Sequence, residues 1–422
     1  MKSVGIVGGG AGGIFAALGA ARAAQEVGEA IDVRLFERNP RIGIKILISG
    51  GGKCNITHSG KVEDVLREGF PHINERRFLK SPMYRFQNAD VLALLERHGV
   101  KWHSRENGRI FPDSGRAEDV LVALETELRE AGVQIRVGSR IESAERSDNG
   151  WRLTANGKTF EPDALILATG GTSYSKTGTT GDGISFAKRL GHTIIRLRPA
   201  LAPIYLKQPP PQELVGIALR DVILQISVAD KLEASCEGDA LITHRGLSGP
   251  ATLAISREAV LLKERSSIHA EANLLGTSED EARELVTELQ RSRQVQLVKT
   301  WLEEILPNRF VPYVLAQSEI SIERKWGELT RAERGRLLVK LVRYDFGEIS
   351  EIPMERGEVT AGGVSLKEVN PKTMMSRRVA GLFFAGEMLD IAGEIGGYNL
   401  QAAYSTGWVA GEEAVRYHTA EK

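Results

Sequence analysis

The chain has 422 residues, 42% hydrophobic and 26% charged, and its 55 basic and 55 acidic side chains cancel to zero net charge. That length exceeds one ordinary core and predicts two or three domains, and the composition excludes a disordered chain. Zero net charge removes a global basic field as a means of recruiting nucleic acid, while leaving room for a local basic patch.

The N-terminus runs straight into an apolar stretch, Val4 to Val7, which reads as a buried parallel strand. Gly8, Gly10 and Gly13 then satisfy the G-x-G-x-x-G pattern, and an alanine-rich segment from Ala11 to about Val27 reads as a helix. A second apolar run, Ile31 to Phe36, ends at the acid Glu37. Strand, glycine turn, helix, strand and acid in this register are the dinucleotide fingerprint. Glycines let the backbone approach a diphosphate, the helix start offers N–H groups and positive potential, and the acid accepts ribose hydroxyls.

Further along, Leu165 to Gly171 is an apolar strand ending in Ala-Thr-Gly, and Leu382 to Glu387 is another ending in Ala-Gly-Glu. Strand ends of this kind pass under FAD in two-dinucleotide-fold flavoproteins, where an acid after the glycine, here Glu387, bonds the ribitol. A helix beginning near Asn399, after the glycine turn Gly393 to Gly397, would aim its N–H groups at the flavin pyrimidine edge. Between these ends, Pro199, Pro203 and Pro209 to Pro211 punctuate the chain before short β-type runs such as Val222 to Val228. Residues 278–340 turn to Glu, Arg and Leu at helical spacing, and the Arg-rich run Arg331 to Arg343 reads as the solvated face of an amphipathic helix.

Three residues are catalytic candidates, Cys54 and His244 as proton donors and Tyr398 as a hydrogen-bond donor to substrate. Cys54 lies in the turn Gly50 to Asn55 beside Lys53, His244 lies in a loop rich in glycine, and Tyr398 stands at the expected pyrimidine edge. For each, a packing or hydrogen-bonding role is the competing explanation. Arg76, Arg77, Lys80, Arg85, Arg105, Arg109 and Arg116 surround Phe78, Tyr84, Phe86, Trp102 and Phe111, and could grip RNA if one face collected them. The eight histidines show no metal-binding spacing, and Cys54 and Cys236 are too few for a disulfide framework or a four-cysteine zinc site. No metal is expected. Cys236 reads as an incidental residue of a polar turn. No apolar run reaches the roughly 20 residues a bilayer requires, so the expectation is a soluble, cytoplasmic protein with no membrane partner.

The chain resembles the BaiN/RdsA (YhiN-type) flavoproteins, a family labelled NAD(P)/FAD-dependent oxidoreductases. The resemblance rests on Lys45 to Asn55, Gly108 to Pro112 with Ser114 to Arg116, Ala168 to Gly183, Thr243 to Pro250, Val359 to Val364 and Gly381 to Gly407. It implies an α/β fold with a two-dinucleotide-binding-type FAD domain built from both chain ends, carrying an inserted β-rich domain and a small helical domain. The expected boundaries are 1–197 and 359–422 for the FAD domain, 198–275 and 344–358 for the β-rich insert, and 276–343 for the helical one. The FAD contacts expected near the N-terminus are Gly8, Gly10, Ala11, Gly13, Glu37 and Arg38, then Lys45, Gly51, Gly52 and Asn55. Ile141, Thr169 and Gly170 follow, with Gly386, Glu387, Gly397, Asn399 and Leu400 at the C-terminal end. The implied activity is FAD-dependent hydride transfer through flavin N5 to or from a C=C or C–N bond. No second nucleotide fingerprint is present, so NAD(P)H is expected only as a transient reductant. The substrate is a small molecule or, as the alternative, uridine in large-subunit ribosomal RNA that becomes dihydrouridine. A non-catalytic flavin-binding redox module is the further alternative.

Overall fold

A computed structural model describes residues 2–148 and 150–419, with side chains through Tyr417. The chain forms two compact units, Met1–Arg198 with Val359–Lys422, and Pro199–Glu358.

The first unit is built on a five-stranded parallel sheet in the order Leu382–Phe384, Ala164–Leu167, Lys2–Val7, Ile31–Phe36, Gln134–Arg136. The central strands are short and apolar because both faces are covered, and all four residues of Ala164–Leu167 are buried. The helix Ala11–Val27 follows the first strand and buries its small residues from Gly12 to Ala24. Its small side chains admit a close neighbour, the C-terminal helix Tyr398–Thr419. A Cβ at Gly19 would lie 2.3 Å from the Trp408 carbonyl oxygen, and one at Gly411 would lie 2.0 Å from that of Ala16. The two helices therefore meet backbone to backbone, and the N-terminal and C-terminal parts of the chain share one core. Two antiparallel sheets flank this layer. One comprises Ile141–Ser147, Gly150–Ala155 and Lys158–Phe160, and the other Thr57–His58, Arg109–Pro112 and Trp102–Ser104.

The second unit is a closed six-stranded barrel in the order Ile204–Leu206, Gly246–Ser248, Lys231–Thr243, Ala218–Val228, His269–Asn273, Tyr344–Glu351. Closure leaves no free edge to pair with another chain. Between its last two strands the chain forms four helices, Glu279–Ser292, Val298–Ile305, Val311–Gln317 and Arg331–Val342. Ser278 and Thr330 close capping boxes with Glu281 and Glu333 at the first and last of these. The Arg331–Val342 helix turns Leu337, Leu338, Leu341 and Val342 inward, which leaves its arginines to the other face. Cys236 is not in a turn: it lies within the strand Lys231–Thr243 opposite Leu224. The polar run around it is the outer face of a strand, a pattern that composition alone cannot tell from a loop.

Candidate cofactor site

The turn after the first strand is shaped by steric necessity. Gly8 has φ of +107°, and a Cβ there would lie 2.5 Å from the Ala168 carbonyl oxygen. A Cβ at Gly13 would stand 1.8 Å from the Gly8 carbonyl oxygen. At Gly10, by contrast, it would meet nothing within 4 Å, so this stretch of backbone faces open space. Gly10 caps the helix without any side-chain bond, and the first helical bond is Ile14 N–H to Gly10 O at 2.9 Å. The N–H groups of the first turn, Ala11 included, therefore have no carbonyl within the helix to take them. This cradle fits a dinucleotide diphosphate.

Glu37 stands at the end of the adjacent strand, 7% exposed. It accepts from Gly9 N at 2.7 Å and from Asn39 N at 2.8 Å, one bond per carboxylate oxygen. Each oxygen keeps a lone pair for a ribose hydroxyl. Arg38 instead donates to Thr180 Oγ1 at 2.6 Å and pairs with Asp182.

The far end of the crevice is framed by the start of the C-terminal helix. Gly396 and Gly397 have φ of +151° and +90° and set its entry. The Asn399 side chain accepts from Gly393 N at 2.8 Å and donates to Gly393 O and Glu394 O, so it shapes the glycine turn. Its backbone N–H lies in the first turn of the helix, with that of half-buried Leu400 beside it. Asn55, with its amide oriented to satisfy its neighbours, accepts from Gly397 N at 3.0 Å and donates to Ile110 O and Thr57 O. Gly51 and Gly52 are exposed with φ of +68° and +85°, in a break that interrupts the helix Ile44–Gly52. Gly170 takes φ of +75°, and Thr169 Oγ1 sits 3.0 Å from the Met388 sulfur. Ile141 is buried where its strand pairs with Ala155.

Glu387 has partners that sequence reasoning missed. Its Oε1 accepts from Thr360 N at 2.7 Å and Ser173 Oγ at 3.1 Å, and its Oε2 accepts from Lys45 Nζ at 2.6 Å. Gly386 before it takes φ of +66° and donates to Thr406 Oγ1 at 3.0 Å.

The three catalytic candidates lie in different surroundings. Cys54 has no accessible surface and belongs to the hydrophobic core, where burial pushes its thiol up to about 12. This burial among core residues favours the packing explanation for Cys54 over the role of proton donor. In the folded protein a water-soluble thiol reagent is expected to label half-buried Cys236 and spare Cys54 until denaturant is added. Native labelling of both would show that the core around Cys54 opens. Tyr398 is 5% exposed, with its ring stacked 4.5 Å from His58. A Cβ at Gly69 would be 2.3 Å from the ring, and one at Gly396 2.6 Å. Burial holds its phenol up at about 12, so it serves as a wedge. His58, which the sequence did not single out, completes this wedge with ring nitrogens 2.8 Å from Ser59 O and 3.0 Å from Asn107 O. His244 is exposed in the tight turn between the strands Lys231–Thr243 and Gly246–Ser248 of the second unit.

Within the basic–aromatic set Tyr84 is exposed and Trp102 half-buried. Phe78, Phe86 and Phe111 are buried, and the Tyr84 hydroxyl donates to Glu63. Arg85 pairs with Glu412 and Glu413, Arg116 with Asp119, and Arg105 lies 4.0 Å over the Phe111 ring. Among the described residues, His98, Glu127 and Glu130 place ligand-type atoms within 4.8 Å of one another, and Arg97 takes the second oxygen of Glu127. No helix among the described residues is long and apolar enough to cross a membrane.

Residues 2–413 match the family described as HI0933-like protein Rossmann domain. The chain is 33% identical to the 3-dehydro-bile acid delta(4,6)-reductase of Clostridium scindens, covering 98% of this chain and 99% of that protein. It is 31% identical to the ribosomal RNA dihydrouridine synthase of Escherichia coli, covering 97% of each. Among solved structures, a variant of the E. coli quinol fumarate reductase FrdA aligns with all of this chain and 72% of its own at a TM-score of 0.50 and 16% identity, a likeness of fold. The chain belongs to the HI0933-like family and is an FAD-dependent oxidoreductase.

Proposed function

We propose that the protein reduces a carbon–carbon double bond conjugated to a carbonyl in a small molecule, with NAD(P)H as a transient reductant. The names of the two relatives share one reaction, saturation of a double bond in a keto compound or in a uracil ring. The observation that favours the small molecule is the burial of Phe78, Phe86 and Phe111, which leaves Tyr84 and Trp102 as the rings of that set with exposed surface for stacking. Ribosomal RNA is the second reading, carried by the full-length similarity to the dihydrouridine synthases of two bacteria.

In this reading the Gly8–Gly13 cradle would hold the diphosphate of FAD, Glu37 its adenosine ribose, and the first turn of the C-terminal helix its pyrimidine edge. The bound flavin supplies the hydride donor and acceptor. Positive potential at the helix start favours negative charge on the ring, and the Tyr398–His58 wedge holds the turn that aims it. Of the three catalytic candidates only His244 is exposed, and it lies in the second unit.

The test is anaerobic reduction of the yellow protein by NADPH or NADH, followed by mixing with a steroid-type enone or with an rRNA fragment. Rapid reoxidation by the enone, with little by the rRNA fragment, is the expected result. Reoxidation by RNA alone, with affinity falling steeply as salt rises, would replace this reading with the second.

A further inference from the structure

We propose that Lys45 is the fixed cation of the flavin crevice and Glu387 its counter-ion, a balanced pair whose loss of either half shifts the reduction potential of the bound flavin. The inference rests on the assignment of FAD to this crevice and concerns what two of its residues do there.

The sheet order gives the crevice a direction. Glu37, at the end of Ile31–Phe36, marks the ribose side, and the strands Ala164–Leu167 and Leu382–Phe384 lie on the other side of the glycine turn. A dinucleotide crossing the turn therefore brings its flavin half toward the ends of those two strands. Glu387 sits there: a Cβ at Gly171 would be 3.0 Å from its Oε1, and one at Gly12 would be 3.3 Å from the Gly386 nitrogen. Lys45 reaches the same place from the opposite side. Its segment is tied over the turn by Gly43 N–H to Gly9 O at 2.8 Å, and its ammonium ends 2.6 Å from Glu387 and 3.0 Å from Ser173 Oγ.

The pair is held rigidly, yet it faces outward. Ser173 and Thr360 are both fully buried. Thr360 Oγ1 accepts from Thr172 N at 2.9 Å and Ser173 N at 3.0 Å, while its own N–H donates to Glu387. The side chains of Lys45 and Glu387 nevertheless stay 26% and 18% exposed. Such a pair adds little to stability, because solvent screens it. Its arrangement is costly for so small a return: four distant segments converge to hold one ammonium and one carboxylate in the cofactor crevice. Lys45 keeps one N–H and Glu387 one lone pair beyond these bonds. Together they present a donor beside an acceptor, while their opposite charges hold the local field near balance.

A balanced pair predicts opposite responses to its two halves. Glu387→Gln leaves Lys45 uncompensated and is expected to raise the flavin potential and tighten sulfite binding about tenfold, about 30 mV for two electrons. Lys45→Met leaves Glu387 uncompensated and is expected to shift both by a similar amount the other way. The double variant should return near the wild type, and Lys45→Arg should stay there. Spectroelectrochemical titration and sulfite titration of the flavin-loaded proteins read these shifts without turnover. Visible absorbance of the purified wild type tests the FAD assignment separately. If Lys45→Met sheds its flavin, Glu387→Gln decides alone: an unchanged or lowered potential overturns the proposal. Shifts of the same sign in both single variants, as from simple loosening of the site, also overturn it.

Discussion

Gly13→Ala is expected to purify colourless. The added methyl would stand 1.8 Å from the Gly8 carbonyl oxygen, so either the turn or the helix behind it must move. Both neighbours are backbone, and no side-chain rotamer relieves the contact. Displacing the helix start also tilts the N–H groups that would hold the diphosphate, so binding suffers beyond the steric cost. We expect FAD affinity to fall at least a hundredfold, measured by quenching of free flavin fluorescence, with stability reduced by about 2–3 kcal/mol. Gly10→Ala is the contrast. Its methyl meets nothing within 4 Å in the protein, so the fold should tolerate it. Any loss of affinity there would come from crowding the cofactor itself. Equal loss of thermal stability in both variants would contradict this division between a structural and a ligand-facing glycine.

The second large effect concerns the joint between the chain's two ends. Gly411→Ala places a methyl 2.0 Å from the Ala16 carbonyl oxygen and 2.6 Å from Ala20 N. The helices Ala11–Val27 and Tyr398–Thr419 would have to separate, opening the contacts that Phe15 makes with Tyr404 and Phe86. We expect a loss of about 3 kcal/mol or more in denaturant unfolding of the flavin-free protein. A midpoint within a few tenths of a molar of the wild type would mean that the helices slide past the methyl at little cost.

The parts of this site that were legible in the sequence are those fixed by neighbours in the chain. Gly8, Gly10, Gly13 and Glu37 belong to one strand–helix–strand unit, and the spacing of their residue types reports the geometry directly. The α/β class followed from the same local patterns. What was not legible depends on packing between distant segments. Cys54 was attractive because of its glycine-rich turn, but its exposure is decided by core residues far along the chain. Tyr398 was expected near a cofactor edge, and its clamping by Gly69 and His58, neither within 300 residues of it, left no trace in the local sequence. Lys45 and Glu387 each read as a cofactor contact, while their bond to one another spans 342 positions and leaves no periodic trace. Of the aromatic residues among the arginines, Phe78, Phe86 and Phe111 are buried and Tyr84 is exposed, a division that composition does not show.

The parallel sheet also carries a consequence for how the protein is made. Its strand Ala164–Leu167 lies between the first strand and Leu382–Phe384, which the ribosome delivers more than two hundred residues later. Throughout that interval the nascent N-terminal part presents an entirely apolar, unpaired strand edge, and the small-residue face of Ala11–Val27 lacks its covering helix. The barrel and its four helices emerge in the meantime and can close on themselves. Production of this enzyme is therefore most vulnerable during translation of its middle, when an exposed edge waits for a partner still to be synthesised and invites pairing with other chains.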